Sequence, residues 1–271
     1  MPELPEVETT RLGLLPRLKG QRIAALVVRD FRLRWPIPVS LPDILRGQRI
    51  IDLHRRAKYL LIECDNGHLI IHLGMSGSLR VVASDAVAQK HDHYDVILTD
   101  GAIMRYTDPR RFGSLHWTQE HPSKHPLLAK LGPEPISEAF TGSALFHAGR
   151  GRTASIKQFL MDQHNVVGVG NIYANEALFR AGVRPQTQAG RVSLARCEFI
   201  VASIKHTLNL ALKAGGSTLR DFVNSDGDPG SFQLSYRVYD RAGKPCFRCD
   251  GIIRSIRQGQ RSTFYCPKCQ R

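Results

Sequence analysis

Tyr59-Leu60-Leu61-Ile62-Glu63-Cys64-Asp65-Asn66-Gly67-His68-Leu69-Ile70-Ile71-His72-Leu73 is the stretch whose reading decides the fold. Two short apolar runs flank an Asp-Asn-Gly turn. Such runs, bounded by turn residues, predict strands over 59–63 and 68–73 joined as a hairpin. Working outward, 22–28 and 50–53 read as strands on the N-terminal side. On the C-terminal side, 94–98 and 102–106 form a second hairpin through Asp100-Gly101, and 115–117 is a further short strand. Most connections are too short for the crossover helices that a parallel sheet needs. A Rossmann sheet is therefore excluded, and an antiparallel sandwich or barrel is predicted.

A phrase recurs: Leu18-Lys19-Gly20-Gln21-Arg22-Ile23 and Leu45-Arg46-Gly47-Gln48-Arg49-Ile50. Each reads as a helix end, a glycine cap and a strand start. The flanks diverge, so this is reused local grammar and not a repeat fold. Composition shifts at Leu131-Gly132-Pro133-Glu134-Pro135, read as a linker. Helices are predicted beyond it, over 153–162, over 171–181 with Gly182 as the stop, and over 193–214 with apolar residues at 3–4 spacing. The Gly/Asp/Ser-rich stretch 224–231 reads as a mobile loop.

Lys+Arg 38 against Asp+Glu 24 gives +14 and a pI of about 9.9. That surface suits a polyanion, nucleic acid before an anionic membrane. No apolar run approaches the ~18 residues of a membrane span, and the acidic start is no signal peptide. Cys246-x2-Cys249 and Cys266-x2-Cys269 are separated by 16 residues, the spacing of a structural zinc bound by four thiolates. Cys64 and Cys197 stand alone and read as buried, so the cysteines indicate a reducing compartment. Between the pairs, 252–257 and 261–265 alternate like strands around a Gln258-Gly259-Gln260 turn. From Tyr236 onward seven Arg and two Lys face two Asp, a balance of +7. A basic zinc hairpin suits a nucleic-acid groove, with Arg261 at its tip.

Met1-Pro2-Glu3-Leu4-Pro5-Glu6-Val7-Glu8 reads two ways. It is a helix start, with Pro5 suited to the first helical position and three acids facing the positive helix end. If Met1 is removed, it also presents Pro2 as a secondary amine, and an α-amino group near ~8 is partly neutral at working pH. Such an amine attacks a sugar C1′ and forms an iminium. Four further stretches keep two readings each. Gly168-Val169-Gly170-Asn171 is a phosphate-binding turn or a plain turn with an Asn cap. Gly74-Met75-Ser76-Gly77 and Asp108-Pro109-Arg110-Arg111-Phe112-Gly113 carry core side chains or a wedge that fills duplex DNA after a base leaves the stack. Arg55-Arg56-Ala57-Lys58-Tyr59 is a solvated face or, on this basic chain, a phosphate contact.

Taken together these motifs resemble the formamidopyrimidine-DNA glycosylase family of bacterial base-excision repair. PELPEVE, RRAKYLL, HLGMSGSLR, KHDH, YTDPRRFG, VVGVGNIYANEALF and QRSTFYCPKCQ carry the resemblance along the whole chain. It implies an α+β protein: an N-terminal antiparallel β-sandwich domain with an N-terminal helix over 1–133, a helix-two-turn-helix domain over 134–235 and a zinc finger over 236–271. It implies glycosylase and AP lyase activity on oxidised purines, through a Schiff base on Pro2 and β,δ-elimination. Glu3 would protonate the sugar ring oxygen, a step the helix dipole opposes and desolvation favours. Lys58 would serve β-elimination, and Arg261 δ-elimination and phosphate clamping. Asn171, His91 and Arg152 would hold DNA, Arg152 on the loosest match. Met75, Arg110 and Phe112 would fill the vacated stack. The loop from about 217 to 236 would close over the lesion. One structural zinc, no organic cofactor, a monomer, a cytoplasmic location and duplex DNA with oxidised bases as partner complete the expectation. Alternatives are an endonuclease VIII-like enzyme for oxidised pyrimidines, against which Leu4 argues, a non-catalytic DNA-binding zinc protein, and an N-terminal-proline tautomerase.

Overall fold

A computed structural model describes residues 2–217 and 230–271. The chain divides into two compact units, Met1–Ala129 with Ala214–Ser231 and Lys130–Lys213 with Phe232–Arg271. Most of the glycine-rich 224–231 loop, and of the 217–236 loop expected to close over the lesion, lies outside the described residues.

The first unit begins with α1 (Leu4–Leu18), so Pro5 is the second helical residue and Glu3 the N-cap. Two four-stranded antiparallel sheets follow. One has the order β1-β6-β7-β5, from β1 (Ile23–Val28), β5 (Ser78–Val82), β6 (Asp92–Leu98) and β7 (Ile103–Thr107). The other has the order β2-β3-β4-β8, from β2 (Ile50–Arg56), β3 (Tyr59–Cys64), β4 (Gly67–His72) and β8 (Ser114–Thr118). The predicted hairpin is present, with Cys64 opposite Gly67, so Gly67 opens β4 and the turn is Asp65-Asn66. Leu60, Ile62, Leu69, Ile71 and Leu115 from one sheet share a core with Leu79, Tyr94, Val96, Met104 and Tyr106 from the other. Val7, Leu14 and Leu18 of α1 enter the same core. Each such side chain contributes about 1.5–3 kcal/mol of burial, which makes the pair of sheets a sandwich that fixes the helix on it.

The repeated phrases pair with each other. Ile23 N donates to Gln48 O at 2.9 Å and Gly47 N to Ile23 O at 2.8 Å, while Ile50 N donates to Gln21 O and Gly20 N to Ile50 O, both at 2.8 Å. The short helix α2 (Leu41–Leu45) precedes the second phrase. Strand β5 had no sequence signal, because Ser78-Leu79-Arg80-Val81-Val82 follows directly on a glycine-rich loop.

The second unit holds α3 (Gly142–Gly149), α4 (Ile156–Met161), α5 (Asn171–Ala181) and α6 (Leu194–Lys213), with the hairpin β9 (Arg254–Gln258) and β10 (Arg261–Tyr265). Gly182 ends α5 at φ 68, as its sequence requires. Helix α3 was not predicted, since glycines stand at both its ends. A Cβ on Gly142 would lie 2.4 Å from Glu198 Cγ, so glycine lets α3 pack on α6. Among the described residues no helix is long and apolar enough to cross a membrane.

Candidate active site

In the first unit, the start of α1 is built around Glu6. Pro2 and Glu3 are both buried. Glu3 N donates to Glu6 Oε2 at 2.8 Å, and Val7 N donates to Glu3 O at 3.2 Å. The Pro2–Glu3 peptide is thereby held on the helix axis. The other oxygen of Glu6 accepts Ser217 N at 2.8 Å. Gly216, at φ 80, makes this approach feasible, since a Cβ there would lie 3.1 Å from Glu6 Oε1. The sequence reading took Glu6 only as a first-turn acid. Its signal was the i, i+3 carboxylate spacing from the cap residue.

Lys58 is buried, 5% exposed, in the two-residue turn between β2 and β3. Ala57 before it adopts φ 55. Arg55 Nε donates to Glu8 Oε2 at 3.0 Å and Arg55 Nη1 to Ala57 O at 2.9 Å. Arg11 Nη2 holds the other oxygen of Glu8 at 2.7 Å. Burial works to raise the Glu8 carboxyl, and the two arginines outweigh it and hold it below its usual range. Arg55 is thus a tie between α1 and the Lys58 hairpin. His72, opposite Tyr59, is pushed down to about 4 by burial, then by the Lys58 and Arg34 charges. Its Nδ1 accepts Gly74 N at 2.9 Å, which requires the neutral imidazole.

Asp108, fully buried, joins the two wedge loops. Its Oδ1 accepts Ser76 Oγ at 2.6 Å and Arg110 N at 3.2 Å, and its Oδ2 accepts Tyr106 Oη at 3.0 Å and Gly113 N at 2.9 Å. A Cβ on Gly113 would lie 1.7 Å from Tyr106 Oη, and one on Gly74 would lie 2.4 Å from Gly113 N. Glycine is therefore required where the loops touch. Met75 is half-buried, Arg110 is exposed and lies over the Phe112 ring at 4.9 Å, and Phe112 is 43% exposed. A core role for Phe112 is excluded. His91 is half-buried, and its carbonyl accepts Asp108 N at 3.0 Å.

In the second unit, Gly170 is the N-cap of α5 and Asn171 its first residue, so Asn171 is not the cap. Asn175 Nδ2 donates to Asn171 O at 2.6 Å, and Asn175 Oδ1 accepts Phe264 N of β10 at 2.8 Å. Fully buried Lys157 on α4 donates to Ser262 O at 2.9 Å and Thr263 Oγ1 at 2.6 Å. These two side chains, missed in the sequence, hold the strand that opens with exposed Arg261. Arg261 pairs with Gln258 across a two-residue turn, Gly259 at φ 50 and Gln260 at φ 61, so Gln258 belongs to the strand. Arg152 is exposed in the loop after α3, its backbone tied to Gly149 and Gly190, both at 3.0 Å.

The four cysteine Sγ atoms lie within 4.8 Å of one another, with separations of 3.9 Å for Cys246–Cys269, 3.5 Å for Cys249–Cys266 and 3.4 Å for Cys249–Cys269. Tetrahedral zinc at ~2.3 Å from each sulfur needs separations near ~3.8 Å, so the thiolates fit it. Gly251 N donates to Cys249 Sγ at 3.3 Å and Arg248 N to Cys246 Sγ at 3.4 Å, the usual support for such thiolates. The protein has one structural zinc site. Cys64 and Cys197 are buried, and burial pushes their thiols up to about 12 and about 11.

Comparison with known proteins agrees along the whole chain. Residues 1–115 match the formamidopyrimidine-DNA glycosylase N-terminal domain, 131–223 its H2TH domain, and 243–271 the zinc finger found in FPG and IleRS. The formamidopyrimidine-DNA glycosylase of Methylococcus capsulatus is 54% identical over 271 residues, all of both chains, and that of Alkalilimnicola ehrlichii 55% over 277. Among solved structures, MutM (Fpg) from Thermus thermophilus is 37% identical with a TM-score of 0.89, covering 99% of this chain and 98% of that one. Lactococcus lactis Fpg, in complex with DNA containing an abasic site, is 34% identical with a TM-score of 0.91 over 99% of each chain. The chain belongs to the formamidopyrimidine-DNA glycosylase family.

Proposed function

We propose that the protein is a bifunctional glycosylase and AP lyase of base-excision repair that removes oxidised purines, 8-oxoguanine and formamidopyrimidines, from duplex DNA in the bacterial cytoplasm. The observation that carries this reading is the fixed helix start. Pro2 and Glu3 are buried there, with the peptide between them held by Glu6.

With Met1 removed, the Pro2 nitrogen is a secondary amine. Its lone pair attacks C1′, the bond from C1′ to the base breaks, the base leaves with a proton from water, and the N–H proton of Pro2 passes to the hydroxide so formed. Glu3 donates a proton to the ring oxygen O4′, the ring opens, and an iminium joins Pro2 to C1′. Loss of a C2′ proton expels the 3′ phosphate, and a second elimination expels the 5′ phosphate. Lys58 serves the first elimination and Arg261 the second. Asn171, His91 and Arg152 hold phosphates. Flipping a nucleotide costs a few kcal/mol, which Met75 and Phe112 offset by filling the gap while Arg110 pairs with the orphaned base. The zinc, closed by four thiolates, shapes the hairpin and takes no part in the chemistry.

Borohydride trapping on an 8-oxoguanine:C duplex tests this. The protein should form a covalent adduct, and Pro2→Gly should lose most of it. DNA binding without any adduct sinks the catalytic reading, and faster cleavage of thymine glycol than of 8-oxoguanine sinks the purine assignment. Intact-mass measurement should show a chain lacking Met1.

A further inference from the structure

A pocket of about 360 Å³ opens in the second unit at the C-terminal end of α5, lined by residues of α5, α6 and the chain on either side of the first cysteine pair. Arg180 lies in the last turn of α5 and Asn171 in the first, so ~13 Å of helix at ~1.5 Å per residue separates this pocket from the candidate phosphate contact. Phe232 and Ser235 come from the end of the segment read as closing over the lesion, and no residue read as touching the sugar, the phosphates or the stack lines it.

Its chemistry is unbalanced. Arg180, Arg237 and Arg248 line it against one carboxylate, Glu176, a net of +2. Glu176 is already saturated, accepting the backbone N–H groups of Arg237, Val238 and Tyr239 at 2.8 to 3.1 Å. Arg248 uses one nitrogen on the last carbonyls of α5, at 3.2 Å to Phe179 O and 3.3 Å to Arg180 O. Arg237 lies over the Phe247 ring at 5.3 Å. Burial, then the Arg248 and Arg237 charges, lowers the pKa of Arg180, with the Glu176 charge opposing. The hydroxyl of Thr207, 2% exposed on the pocket wall, has no hydrogen-bond partner among the described residues. A buried hydroxyl is seldom left unpaired. Phe232 and Phe247 supply aromatic walls, and Phe247 is 61% exposed.

We propose that this pocket binds a small aromatic phosphomonoester, of the nucleoside monophosphate class, away from the DNA-repair site. A phosphomonoester carries about −1.5 to −2 at pH 7, which matches the net charge of the lining. Guanidinium groups take its oxygens in pairs, Thr207 donates its free hydroxyl, and the phenylalanine rings face the base. The volume falls at the small end of the ~300–1,000 Å³ range of ligand pockets, which fits one nucleotide and excludes a longer chain.

Calorimetric titration of the zinc-loaded full chain with adenosine 5′-monophosphate tests it, with adenosine and inorganic phosphate as separate arms. Saturable one-site binding by the nucleotide is expected, tighter than either part alone. Arg180→Gln should weaken it by ~10-fold or more, with glycosylase activity unchanged. Thr207→Val should also weaken it without lowering the melting temperature, because the hydroxyl has no partner to lose. A duplex bearing an abasic-site analogue should leave the nucleotide bound. The proposal is overturned by no saturation up to ~5 mM nucleotide, by equal affinity in both variants, or by displacement with the duplex, which would put the nucleotide on the DNA surface.

Discussion

Ser76 donates its hydroxyl to Asp108 Oδ1 at 2.6 Å, joining two loops 32 positions apart in the chain. Asp108 also accepts Tyr106 Oη, Arg110 N and Gly113 N, so one buried carboxylate sets where Met75, Arg110 and Phe112 are displayed. Asp108→Asn turns one acceptor into a donor facing donors. A loss of about 1–3 kcal/mol is expected, read as a lower denaturation midpoint. Affinity for an abasic-site duplex should fall with it, while Ser76→Ala should give a smaller effect of the same sign.

Glu6 holds Glu3 N with one oxygen and Ser217 N with the other. Glu6→Gln keeps the size and leaves one of these amides facing an NH2 group. Borohydride trapping should slow by about 10- to 100-fold, the cost of displacing a reacting group by about 1 Å. Duplex affinity, measured separately, should change little, which distinguishes misplaced chemistry from lost binding.

Lys157 reaches Ser262 O and Thr263 Oγ1 on the strand that begins at Arg261. Lys157→Met keeps the apolar stem and strips both acceptors of their donor, at about 1–3 kcal/mol. The expected signature on a denaturing gel is a shift from δ- toward β-elimination products, the same direction as Arg261→Ala. Zinc release to a chelator should also quicken.

His72, lowered to about 4 from the 6.5 of a free imidazole by burial and then by the Lys58 and Arg34 charges, stays neutral in the fold over a range where the unfolded chain takes up a proton. Its contribution to stability is fully present above pH 6.5 and is lost as pH falls toward 4. For a single half-buried imidazole this is at most on the order of 3 kcal/mol. Urea midpoints between neutral and acidic pH should therefore fall less steeply in His72→Gln than in the parent protein.

Much of the fold was legible because local chemistry and tertiary need coincide. The 59–73 hairpin reads correctly because its apolar runs are central strands and its turn is polar. Helix α5 reads to the residue, since a glycine-rich turn starts it and Gly182 stops it. Both cysteine pairs read as a metal site through spacing alone. What escaped detection depends on partners distant in sequence. Strand β5 is five residues that make sense only against β7. Lys157 looks like any helix-surface lysine until it meets a strand 105 positions away. The tie from Arg55 to Glu8, 47 positions earlier, leaves no local mark in its basic run.

The second unit is not a contiguous piece of gene. The chain enters it at Lys130, returns to the first unit at Ala214 and enters it again at Phe232. No single truncation point isolates either unit, and a stop codon anywhere in α6 removes part of both. A frameshift late in the reading frame thus deletes Ala214–Ser231, whose Ser217 meets Glu6 at the start of α1, along with the zinc hairpin. The surroundings of Glu6, among the first residues made, are therefore completed only after Ser217 has been synthesised, some two hundred positions later in the chain.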